Sequence, residues 1–215
     1  MTMTAALRVH GTGFRPARLA LHALLMVLLL GLVGCPTVPQ RLPPTQPWEE
    51  RRAELQTLDR FAFRGRVAVA AGEEGFNARL RWQQEGAQTA VALDGPLGVG
   101  GVQVTSDGEG LVVVTSRGER FDRESAAEAL QRQLGFDPPL ASLRYWILGV
   151  PDPSAPAQEV LDEAQRLAGL EQHGWQITYG QYAPVAGRWM PQRMTLQREG
   201  VRVRVIVDQW EAGVP

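Results

Sequence analysis

The stretch FAFRGRVAVA, Phe61 to Ala70, decides the fold. Phe61, Phe63, Val67 and Val69 share one face of an extended chain, with Arg64 and Arg66 on the other. A period of two marks a strand with one side buried and one side in water. The run FNARLRWQ repeats it: Phe76, Ala78, Leu80 and Trp82 alternate with Asn77, Arg79, Arg81 and Gln83. Shorter runs follow, QTAVALD, VQVTS, LVVVTS and GERFD, separated by Gly, Asp and Glu. Strands at this spacing, joined by tight turns, predict an antiparallel meander.

The meander pauses at Asp122. RESAAEALQRQLG is rich in helix formers and predicts a helix that stops at Gly135; PPLASLRYWILG predicts a second short helix closing at Gly149. Upstream, WEERRAELQTLDRF predicts an amphipathic helix with Trp48, Arg52, Leu55 and Leu58 or Asp59 on one stripe. PDPSAPAQ reads as a loop. EVLDEAQRLAGLEQ supports two readings, a helix by propensity or LAGLEQ as a strand leading into a turn at His173-Gly174. WQITY, RWMPQRMTLQR and VRVRVIVDQW restore the strand pattern, and Pro191 predicts an edge strand or a bulge. No internal repeat is present. The fold class is therefore α+β: a curved antiparallel sheet with three helices against one face.

A chain of 215 residues, 44% apolar and 21% charged, is long and apolar enough for one domain with a substantial core. All 22 basic residues are arginine. Arg8, Arg15 and Arg18 precede every acidic residue, so the rest of the chain is acidic on balance. That argues against a nucleic-acid binder, which needs a basic face.

The first residues carry an export pattern. A basic region ends at Arg18, and LALHALLMVLLLGLVGC runs from Leu19 to Cys35. A positive flank, a short apolar core and a small residue before the cut make a signal peptide over residues 1–34. The core is interrupted by His22 and is short for a membrane span, which takes roughly 20 residues. Leu32-Val33-Gly34-Cys35 resembles the bacterial lipobox, in which the cysteine is acylated and becomes the new N-terminus. Cys35 is also the only cysteine, so no disulfide framework is possible. Three acyl chains hold far more firmly than one, at about 0.8 kcal/mol per buried CH₂. Pro36 stands where an inner-membrane retention signal has aspartate, which favours the outer membrane. Residues 36–47 read PTVPQRLPPTQP, five prolines in twelve. With Cys35 they form an extended tether, 35–47, of roughly 35 Å at about 3.1 Å per residue. The domain proper is expected over 48–215.

Few residues are equipped for covalent chemistry. Outside the signal the only histidine is His173, in a turn dipeptide. No Ser-His-Asp or Cys-His set is available, no metal-ligand spacing occurs, and a Walker loop needs a lysine that the chain lacks. The tryptophans at 48, 82, 146, 175, 189 and 210 say more. Each one alone reads as core packing. Together, in a half-open sheet lined by Phe, Leu and Val, they also describe a lipid-sized cavity.

In chain order, the lipobox, proline spacer, Trp48, FRGRVAV, LRWQQ, DGPLG, LRYWILGVP, QHGWQITYGQY, MPQRMTL and VRVRVIVDQW together resemble the outer-membrane lipoprotein family LolB. EVLDEAQRLAGL matches it least clearly. The resemblance implies an unclosed, half β-barrel with about three helices over an apolar cavity, and no catalytic residue, cofactor or metal. It implies a monomeric protein, lipid-anchored at Cys35 and facing the periplasm. Its partners would be a LolA-type periplasmic carrier, acylated lipoprotein cargo and outer-membrane phospholipid. It would accept cargo from the carrier, hold the acyl chains in the cavity and insert them into the membrane. Trp48, Trp82, Trp146, Trp175 and Trp210 match the family's recurrent tryptophans and are expected in the cavity and its lid, with Phe63, Leu80 and Ile147. Trp189 has no counterpart. In DGPLGVGG, Asp94 to Gly101, the resemblance makes Leu97 a residue that protrudes and assists insertion. The alternative is that it folds back on the sheet. A lipoprotein binding another lipid, or scaffolding an assembly, is the competing function; a cell-wall hydrolase would need a carboxylate that nothing singles out.

Overall fold

The computed structural model describes residues 42–96 and 100–212. Cys35, the signal segment and Leu97 lie outside the described residues. The elements are α1 (Trp48–Gln56), β1 (Arg60–Ala71), β2 (Glu74–Glu85), β3 (Gln88–Asp94), β4 (Val102–Ser106), β5 (Leu111–Thr115) and β6 (Arg120–Asp122). They continue with α2 (Arg123–Leu134), α3 (Leu140–Trp146), β7 (Gln158–Leu161), β8 (Leu167–Gln172), β9 (Trp175–Val185), β10 (Arg188–Arg198) and β11 (Val201–Ala212). The α+β class and its three helices are as expected.

All eleven strands form one antiparallel sheet in the order β6-β5-β4-β3-β2-β1-β11-β10-β9-β8-β7. Two meanders, β1–β6 and β7–β11, are fused where the first strand pairs with the last. The edge strands β6 and β7 do not pair with each other, so the barrel is unclosed. This order has a consequence for the helices. The chain leaves the sheet at one edge and re-enters at the other, so the connection carrying α2 and α3 must cross the sheet from edge to edge. Short connections lie over one face of a sheet. The crossing therefore becomes its cover.

The inward face follows the alternation that FAFRGRVAVA announced. One row runs across seven strands through Trp210, Phe63, Trp82, Val91, Val104, Val113 and Phe121. Its aromatic part is continuous: Phe63 stacks on Trp82 at 6.0 Å between centroids and meets Trp210 at 5.1 Å. Such cross-strand contacts add about 0.5–1.5 kcal/mol each beyond area burial. The core residues all lie between Trp48 and Trp210, so this segment encloses its own core. Gly65 is required in the row's neighbourhood. The register between β1 and β11 shifts there, and a Cβ on Gly65 would stand 2.1 Å from the Ile206 carbonyl oxygen.

One local expectation is corrected, and one open reading is resolved in favour of its strand alternative. In α1 the buried stripe is Trp48, Arg51 and Leu55, because a 3.6-residue period joins 48, 51 and 55; Arg52 points outward to Glu49 and Glu159. Residues 158–172 form the hairpin β7–β8 and no helix. Asp162 closes its turn: the carboxylate accepts the amides of Ala164 and Arg166 at 2.9 Å, and Gln165 takes φ +57°. Pairing of β8 with β9 then outweighs helix propensity. The bulge expected at Pro191 is present, as a register shift between Pro191 and Arg193.

Candidate functional site

The concave face of the sheet and the α2–α3 cover enclose a cavity of about 100 Å³ whose wall is apolar side chains throughout. The sheet supplies Phe63, Leu80, Trp82, Val91, Val205 and their neighbours; Leu130, Leu134, Phe136, Leu143 and Ile147 close it from above. α2 can cover the sheet because its buried positions are Ala126, Ala129, Leu130 and Leu134, one stripe of a helix that opens on an Asp122–Ser125 box and ends at Gly135. Gly135 holds φ +80°, the left-handed turn that glycine adopts without penalty.

Phe63, Leu80, Trp82 and Ile147 thus meet in one cavity wall. The other four expected residues stand behind it or beside it. Trp210 packs against Phe61 and Phe63 and donates its indole N–H to the Pro191 carbonyl at 2.9 Å. Trp175 meets the edge of Phe136 at 5.9 Å and carries the Arg198 guanidinium over its ring. Trp48 ties α1 to β7 through an indole bond to Glu159 of 2.6 Å. Trp146, fully buried at the end of α3, donates to Gln172 Oε1 at 2.8 Å. Trp189, left out of the expected set, donates to the Pro43 carbonyl at 3.2 Å.

That last helix end rests on a polar group the sequence did not single out. Gln172 accepts from Trp146 and from the Asp152 amide, and donates to the carbonyls of Asp152 and Ala155, so its amide is satisfied at 2% exposure. Asp152 in turn accepts from Ser142 Oγ of α3 at 2.7 Å and from the Ser154 amide at 2.9 Å. Burial works to raise the Asp152 carboxyl, but these hydrogen bonds and His173 outweigh it and hold the group below its ordinary value. The set pins α3 to β8 at the cover's C-terminal end. The signal was there in outline: Gln172 sits at an inward register position, two residues after Leu170.

A second buried charge lies away from the cavity. Arg51 is 4% exposed, donates from Nη2 to the Trp189 carbonyl, and leaves Nε unpartnered. Burial lowers its pKa. The Trp82 indole N–H is likewise buried without a partner. Among the described residues no group of His, Cys, Asp or Glu could hold a metal ion, and no helix is long and apolar enough to cross a membrane.

An apolar cavity under a helical cover fits many lipid binders. The sequence decides among them, because residues 59–210 match the family model described as "Outer membrane lipoprotein LolB". The chain belongs to the LolB family. It is 34% identical to the outer-membrane lipoprotein LolB of Nitrosococcus oceani, over 90% of this chain and 98% of that one. It is also 34% identical to the Pseudomonas aeruginosa protein of the same name, over 90% and 96%. A DUF1329 family protein of Desulfovibrio piger shares the fold, with a TM-score of 0.52 at 10% identity, over 80% of this chain and 95% of that one. As a LolB-family member the chain is an outer-membrane lipoprotein with a role in lipoprotein localisation.

Proposed function

We propose that the domain accepts lipoproteins from a LolA-type periplasmic carrier, shelters their acyl chains in the cavity under α2 and α3, and passes them to the outer membrane. Acylation of Cys35 would hold it there, with residues 36–47 as its tether. The observation that carries this reading is the wall: every lining side chain is apolar, and the row Trp210-Phe63-Trp82 backs it with rigid aromatic surface. Acyl chains exposed to water would cost tens of kcal/mol at about 0.8 kcal/mol per CH₂. Passing them between two apolar cavities avoids that state.

The cavity as it stands is smaller than the 150 Å³ or so that holds one benzene. A long chain therefore enters only if the cover lifts, and the fold suggests which part. The Ser142-Asp152-Gln172-Trp146 set fixes the α3 end, whereas α2 and the link to α3 contribute apolar side chains alone to the cavity. No covalent step is involved.

The test is transfer. The domain produced without residues 1–35 should take a radiolabelled lipoprotein from loaded carrier; no transfer to folded domain overturns the proposal. Leu97, which lies outside the described residues, is proposed to touch the bilayer, where burying a leucine is worth up to roughly 1.5–3 kcal/mol. Leu97→Glu should accept cargo as before and fail to insert it. If that variant unfolds, Leu97 belongs to the packing of the domain.

A further inference from the structure

The outer face of the sheet is a second candidate surface, and its charge runs against the rest of the chain. Along β10, β11, β1 and β2 the outward positions include Arg193, Arg202, Arg204, Arg66 and Arg79, all exposed. The register brings them into adjoining rows: Arg193 opposite Ile206, Ile206 opposite Arg66, and Arg66 opposite Arg79. Arg64, Arg66 and Arg81 are paired with Glu211, Asp208 and Asp94. Arg79, Arg193, Arg202 and Arg204 have no carboxylate partner among the described residues. Four unneutralised guanidinium groups thus share one face of a domain whose overall balance is acidic.

The face is also shaped. Because Ala68 is small and stands between Arg204 and Asn77, the long arginines rise around a groove of about 740 Å³. Its floor is Ala68 and Ile206, its sides include the unpaired Arg79 and Arg204 with Arg66, which Asp208 pairs, and it runs to Gly95 and Pro96 beside Asp94, whose carboxylate Arg81 holds. Charged forks over a shallow apolar floor suit a phosphodiester with its adjoining glycerol, since guanidinium binds phosphate oxygens in pairs.

We propose that this arginine face docks the domain on anionic phospholipid headgroups of the bilayer. It lies opposite the cavity face, so the α2–α3 cover stays free to meet a carrier while the domain rests on the membrane. The inference goes beyond cargo transfer: it concerns how the domain is oriented and holds whether or not the cavity takes acyl chains.

The test uses residues 36–215, whose core is self-contained, and flotation with vesicles of phosphatidylethanolamine and phosphatidylglycerol against vesicles of phosphatidylcholine. The double variant Arg79→Gln/Arg204→Gln should lose roughly thirtyfold in partition onto the anionic vesicles, about fivefold per arginine. It should be unchanged on phosphatidylcholine, and raised salt should erase the difference. These exposed substitutions leave the core untouched, and an unchanged thermal melt checks that. Arg193→Gln/Arg202→Gln should give a loss of the same order. Equal partition of wild type and both variants onto anionic vesicles overturns the proposal. So does a variant that floats normally but no longer accepts cargo, which would make the face a dock for an acidic protein.

Discussion

Val91→Phe sets stability and binding against each other. Val91 is buried on β3 between Trp82 and Val104 in the inward row, and it lines the cavity. The exchange adds about four carbons, worth at most roughly 3 kcal/mol at ~0.8 kcal/mol per buried CH₂. Repacking strain of about 1–3 kcal/mol subtracts from that. Cavity-filling changes commonly leave a gain of about 0.5–2 kcal/mol. With a void of about 100 Å³ beside the site, the ring should turn into it and stack along the Trp82 row. A net gain of about 1 kcal/mol raises Tm by roughly 2–4 °C in a domain of this size. Binding should move the other way. Excluding about two methylenes of an acyl chain, at ~0.8 kcal/mol each, already weakens it about tenfold. Calorimetry gives the first quantity, and titration with a fluorescent fatty-acid analogue gives the second. A variant that is stabilised yet binds the analogue like wild type shows that the cavity is not where acyl chains go. One that is destabilised with unchanged binding shows that the ring never entered the void.

Two further predictions concern the frame around the cavity. Gly65→Ala should be among the most damaging single changes on the sheet, at about 3 kcal/mol or more in urea unfolding, because its Cβ meets a β11 carbonyl at 2.1 Å. A cost under about 1 kcal/mol would mean that β1 and β11 adjust freely at the bulge. Asp152→Ala removes the acceptor for Ser142 and Ser154 and should cost about 1.5–3 kcal/mol at neutral pH. The folded carboxyl is held below its ordinary 3.8, so the stability it contributes is complete above that value and is lost as pH falls through the lower folded value. The gap between wild type and variant should therefore close in acid; a gap that stays constant with pH contradicts an ionised Asp152.

The sequence by itself determined the parts that repeat. FAFRGRVAVA and FNARLRWQ specify two strands and the face each buries, because a period of two admits no other partition of their side chains. Gly135 marks the end of α2 for the same local reason. Membership of the LolB family rests on an ordered set of such short runs, which is a property of the chain. What depends on several strands at once was decided by the tertiary structure. The hairpin at 158–172 forms because Asp162 can fold its turn and β9 is there to pair, against the segment's own preference for helix. Phe63, Leu80, Trp82 and Ile147 line the cavity while Trp146, Trp175 and Trp210 back or pin it, a division set by rows that cross seven strands and by the path of α2 and α3. The arginine face is the same alternation seen from outside. Arg66 and Arg79 were legible as outward-pointing, but only strand register places Arg79, Arg66, Ile206 and Arg193 in one line, since that register joins residues more than a hundred positions apart.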